Sequence, residues 1–202
     1  ERLQHDMTPQ GHVPFTYNQV FYTPTLLCPC LPRRCKRRDV PQTRYHDEKL
    51  GALVMDSNAQ YVILVHRVAC RTQDPLQRNE WLTHHRESVL RALSWYFPHT
   101  DPRTGFVLEE PFGSWEDSLL LYGAVPYTNV LYCYALDCAR GMYPDANINL
   151  KVPSSRDLAS LVFQPGRMDY VSVSMLALYP IKGMDMRRVD KALDALHRGT
   201  TS

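Results

Sequence analysis

Proline sets the first limit on what this chain can fold into. Fifteen prolines stand against nine glycines, and most of them fall between hydrophobic segments. Proline fixes φ and lacks an N–H, so it breaks helix interiors and stiffens connections. A chain punctuated in this way is expected to join its elements by rigid, extended links rather than by flexible Gly/Ser linkers. Six of the prolines (Pro9, Pro14, Pro24, Pro29, Pro32 and Pro41) lie in residues 1–50, which carry no sustained hydrophobic periodicity. That stretch reads as an extended arm, and its aromatic, β-branched part at 13–27 is suited to lie on a partner or on the chain's own domain. Residues 51–202 read as one globular domain. A length of 202 residues with 44% hydrophobic content is enough for one good core plus extensions.

Within the domain the pattern predicts an α+β fold: a small mixed sheet packed with four to five helices and preceded by the Pro-rich basic arm. The sheet comprises a hairpin at about 52–70 and a strand at about 169–179. In the hairpin, Asp56-Ser57-Asn58-Ala59 reads as the turn. The following run Tyr61, Val62, Ile63, Leu64 and Val65 is apolar on both faces, as in a covered central strand. At 169–179, Val171, Val173, Met175, Ala177 and Tyr179 alternate with Ser172 and Ser174, the period of a strand. The spacing of Leu82, Val89, Leu93 and Tyr96 predicts a helix over 75–97, capped by Asp74, begun by Pro75 and ended by Pro98. Ser114-Trp-Glu-Asp117 and Ser154-Ser-Arg-Asp157 look like capping boxes. Further helices are expected over about 128–140, closed by Gly141, and over 185–198, stopped by Gly199.

The chemistry concentrates in the arm. Cys28-Pro-Cys30-Leu-Pro-Arg-Arg-Cys35-Lys-Arg-Arg38 packs three thiols and five cations into eleven residues of a chain whose net charge is only +2. Arg33, Arg34, Lys36, Arg37 and Arg38, followed by Arg44 and Tyr45, form a compact cationic run. Such a run neutralises phosphates, and a tyrosine beside it can stack on a base. Residues 101–148 lean acidic, so the charge is dipolar along the chain. Of the 23 basic residues 18 are Arg, which grips phosphate bidentately; a GC-rich genome yields the same bias. The thiols offer a second chemistry. Cys28, Cys30 and Cys35, with His46 as fourth ligand, supply the N/S set that zinc takes, although the spacing is not that of a standard knuckle or ribbon. Cys133 and Cys138 are expected not to chelate together, because five helical residues turn the second thiol away by about 140°. His84 and His85 diverge by about 100° for the same reason.

No spacing makes a nucleophile elbow, a phosphate loop, a dinucleotide fingerprint or a zincin helix. No catalytic residue is assigned, and a non-catalytic protein is expected. Tyr127-Thr-Asn-Val-Leu131, and Asp169-Tyr-Val-Ser172 followed by Arg188-Val-Asp-Lys-Ala-Leu193, resemble pieces of pentatricopeptide repeats. The resemblance implies pairs of helices that bind organellar RNA. It also requires helix at 169–179, where the alternation predicts strand, so the two expectations exclude each other.

The function expected from these features is that of a structural subunit of a large ribonucleoprotein, with an organellar (mitochondrial) ribosome as the first choice. The arm would contact ribosomal or other structured RNA, and aromatic surfaces would contact neighbouring protein subunits. The alternatives are an accessory, protein-binding subunit of a mitochondrial respiratory or ATP synthase complex, and a pentatricopeptide-like or zinc-dependent RNA-binding factor. No cofactor is expected apart from zinc at the cysteine cluster. No run of eighteen apolar residues exists, so no membrane insertion is expected. The Arg bias, the start at Glu1 and the lack of a secretory signal favour the mitochondrial matrix.

Overall fold

The computed structural model describes residues 7, 10, 11, 13, 54–110, 122–164 and 168–198, together with the backbone of 16–18 and 42–44. In the first part of the chain, Thr16–Asn18 (β1) pairs antiparallel with Gln42–Arg44 (β2), Thr16 lying opposite Arg44. From residue 54 onward the described residues are predominantly helical and contain no strand. The only ladder contacts there are isolated bridges, Thr100 to Val107 and Glu109 to Gly123.

The expected α+β fold is therefore corrected to a helical one. The segment read as a hairpin at 52–70 is a single helix, Asp56–Arg71 (α1). The polar tetrapeptide read as its turn is the first helical turn, and Asp56, Ser57 and Asn58 are all buried in it. The apolar run that follows is covered on two sides because α1 packs against both Pro75–Ser94 (α2) and Pro126–Met142 (α3). A short apolar run covered on both sides has no period that separates strand from helix.

The segment at 169–179 is likewise a helix, Tyr170–Leu178 (α5). Asp169 caps it, its Oδ1 accepting from the Ser172 N–H at 2.7 Å. Its buried residues Ser172, Val173 and Leu176 follow the 3–4 spacing of a helix face. The β-branched Val171 and Val173 favour a strand by intrinsic preference, and the cap with tertiary packing overrides them.

Other elements stand where their sequence signals lie. Asp74 accepts from the Leu76 N–H at 2.9 Å and Pro75 opens α2. That helix ends at Ser94 and is followed by a short 3₁₀ turn, Phe97–His99. Ser154 Oγ accepts from the Asp157 N–H at 3.1 Å and starts Ser155–Val162 (α4). Asp185 accepts from the Arg187 N–H at 3.1 Å and starts Met186–His197 (α6). The capping box expected at 114–117 and the stop at Gly199 lie outside the described residues. Helix α3 runs through Gly141 to Met142 instead of ending before it.

The helices form successive pairs, α1 with α2, α3 with α4 and α5 with α6, and the first helix of each pair lies beside the next, α1 on α3 and α3 on α5. Helix α3 is central. Val130, Leu131, Tyr132, Cys133, Ala135, Leu136, Cys138 and Ala139 are buried around its circumference, and burying each of its leucines stabilises the fold by roughly 2 kcal/mol. Tyr96 fastens the layers: its hydroxyl donates to the Met55 carbonyl at 2.6 Å, accepts from the Ala59 N–H at 3.0 Å, and its ring lies on Tyr132.

Candidate functional site

The residues assigned from sequence to RNA and metal lie mostly outside the described part of the chain. This holds for Cys28, Cys30, Cys35 and His46, and for Arg33, Arg34, Lys36, Arg37, Arg38 and Tyr45. Arg44 ends β2, and its backbone stands opposite Thr16. Among the described residues no group of three or more His, Cys, Asp or Glu side chains is arranged to hold a metal ion. Cys133 and Cys138 are buried thiols of α3, and burial pushes both up to about 12. They are core side chains held as neutral thiols.

One partly exposed cluster joins the first helices of all three pairs: Arg67 is exposed, and Tyr134 and Tyr179 are half-buried. Arg67 of α1 places its guanidinium 5.0 Å from the centre of the Tyr179 ring, the residue that closes α5. Tyr134 of α3 lies with its ring centre 5.0 Å from the same ring, inclined by 48°. The cation therefore sits over one ring of an aromatic pair that links α3 to the end of α5. On α1 the exposed residues Gln60, Leu64, Arg67 and Arg71 recur at four, three and four residues, which puts them on one outward stripe. Leu178, next to Tyr179, is 64% exposed. His66 Nε2 lies 3.4 Å from the exposed Cys70 thiol on the same helix, and partial burial with Arg67 beside it holds the imidazole below its ordinary pKa. A guanidinium flanked by tyrosines and apolar side chains can stack on a base and pair with a phosphate. The sequence signal for this cluster is faint, because residues 67, 134 and 179 meet only when the helices stack.

A second polar cluster is buried where α1 and α3 begin. Asp56 is 3% exposed and Glu109 is 5% exposed. Gln60 Nε2 donates to Asp56 Oδ2 at 2.7 Å, and the Tyr127 hydroxyl donates to the same oxygen at 3.4 Å. The Thr128 hydroxyl donates to Glu109 Oε1, while Oε2 has no hydrogen-bond partner among the described residues. Burial raises Asp56 to about 6; burial, and then the nearby Asp56 charge, raise Glu109 to about 7. The sequence places Glu109 beside Glu110 and suggests a solvated acidic edge for the pair; Glu110 is exposed and Glu109 is not.

Comparison of the chain with protein-family models, with curated proteins and with solved structures finds no match. Among the described residues no helix is long and apolar enough to cross a membrane.

Proposed function

We propose that the protein is a non-catalytic, RNA-associated structural subunit of a large ribonucleoprotein, with an organellar ribosome as the assembly and the mitochondrial matrix as its compartment. The observation that carries the proposal is the cluster of the exposed Arg67 with the half-buried Tyr179 and Tyr134, in the same chain as the cationic run at 33–44. In this reading the run neutralises backbone phosphates, and the aromatic–guanidinium cluster gives an unpaired base a surface to stack on. The paired layout of the helices adds support. It is the arrangement that the pentatricopeptide-like pieces at 127–131, 169–172 and 188–193 imply.

The test is sedimentation of the protein from native extract with and without RNase. It compares the wild type with a variant in which Arg33, Arg34, Lys36, Arg37 and Arg38 are changed to glutamate, and with Arg67→Glu. Heavy sedimentation that collapses with RNase, and is weakened by each variant, supports the proposal. Heavy sedimentation indifferent to RNase and to both variants points instead to the protein-only accessory subunit. Migration as a free monomer overturns both assembly readings. Metal analysis of the purified chain tests the zinc-dependent alternative, one equivalent lost on changing Cys28, Cys30 and Cys35 to serine being the result in its favour.

A further inference from the structure

We infer that the first turn of α1 is a peptide-binding site, and that its ligand is the backbone of this chain's own Gly11 and Val13. Three polar residues at the start of a helix are ordinarily solvated. Here Asn58 is 0% exposed and divides its amide among two segments of chain. Its Oδ1 accepts from the Val13 N–H at 2.8 Å, and its Nδ2 donates to the Gly11 carbonyl at 2.9 Å and to the Ala92 carbonyl at the end of α2 at 2.8 Å. Ser57 Oγ donates to the Val13 carbonyl at 2.8 Å. Both polar groups of Val13 and the carbonyl of Gly11 are thereby satisfied by side chains, much as a neighbouring strand would satisfy them.

The site also selects side chains. Gly11 has φ +94°, and a Cβ there would lie 2.2 Å from the Arg91 carbonyl oxygen, so only glycine fits. Val13 is 1% exposed, and Met7 is 8% exposed with its sulfur 3.3 Å from Arg91 Nε. The ligand is thus a peptide carrying methionine, then glycine four residues on, then a small apolar residue two beyond that. The same device recurs at Asn129, which is buried near the start of α3: its Oδ1 accepts from the Val107 N–H at 2.8 Å and its Nδ2 donates to the Val107 carbonyl at 3.0 Å. Capture of a passing backbone by an asparagine in the opening turns of a helix is a repeated feature of this fold. At α1 it moors the root of the segment leading to the cationic run on the α1–α2 pair, whatever that run binds.

The experiment uses the full chain with Gly11→Ala and follows amide exchange together with binding of a fluorescent peptide, Met7-Thr-Pro-Gln-Gly-His-Val13. Release of the segment should cost Val13 its amide protection while the Val62 and Leu131 amides keep theirs. The emptied site should then bind the free peptide roughly tenfold or more tightly than the wild-type chain does, whose site is occupied in cis. The same peptide with alanine at position 11 should not bind. Three results would each overturn the inference: unchanged protection of Val13 in the variant, parallel loss of protection at Val62 and Leu131, and equal binding of the two peptides.

Discussion

Glu109 illustrates how one side chain can carry a stability signal without taking part in any surface chemistry. Its carboxyl is raised from 4.5 to about 7, chiefly by burial, so the folded protein prefers the protonated form. The stabilising effect is fully present below pH 4.5, where folded and unfolded chains are both protonated, and is lost as pH rises through 7. Asp56, raised from 3.8 to about 6, loses its contribution in the same direction and over a lower window. Each of these rises corresponds to roughly 3 kcal/mol at the upper limit. Glu109→Gln keeps an acceptor for Thr128 and removes the titration. Its melting temperature is expected to match the wild type near pH 4.5 and to exceed it at pH 8, by the equivalent of about 1–3 kcal/mol. Calorimetry across that range checks this, and parallel curves for the two proteins would contradict the buried-acid account.

Among the elements, α5 shows most plainly how a local cap decides between two secondary structures. Asp169 satisfies the Ser172 N–H at the start of a nine-residue helix. Asp169→Ala is expected to destabilise the protein by about 1 kcal/mol, the usual worth of such a cap. Amide exchange at Ser172 should accelerate more than exchange within α1, because the loss is confined to one helix end. Helix α3 behaves differently, since it touches α1, α2, α4 and α5. Leu136→Ala, at a fully buried position, is expected to cost about 2–5 kcal/mol. Because α3 joins the three pairs, urea unfolding followed at Trp81 and by far-UV circular dichroism should shift together to lower concentration. Separate transitions would show that the pairs unfold on their own.

At the scale of the whole molecule, a stretch of sequence with five cations within residues 33–38 precedes a helical body that carries its own cation–aromatic cluster. Neutralising about five phosphates of a single strand gives a slope near −3.5 for log affinity against log salt. Filter binding with single-stranded RNA should yield roughly that slope for the wild type. It should approach zero once Arg33, Arg34, Lys36, Arg37 and Arg38 are reversed to glutamate. Arg67→Glu and Tyr179→Ala should weaken binding with a smaller change of slope, since the first alters the charge at one site instead of five and the second alters none. A wild-type slope near zero would remove the phosphate role from the arm.

Helix starts whose signal is local are legible in the residues alone. Asp74 with Pro75, and Ser154, each cap or open a helix through atoms within three residues of themselves. Equally legible is the concentration of cations and thiols at residues 28–38, since composition needs no fold to be read. Tertiary structure decided the remainder. Asp56-Ser57-Asn58 has the composition of a turn, and it can be buried as helix because Val13, Gly11 and Ala92 give Ser57 and Asn58 partners from far along the chain, while Gln60 and Tyr127 bond Asp56. The apolar run at 61–65 has no period of its own, because α2 and α3 cover it from two sides. Arg67, Tyr134 and Tyr179 form one cluster only because α1, α3 and α5 stack. Local capping energies are written in neighbouring residues. Long-range packing depends on partners tens of residues away, whose positions no short window of sequence contains.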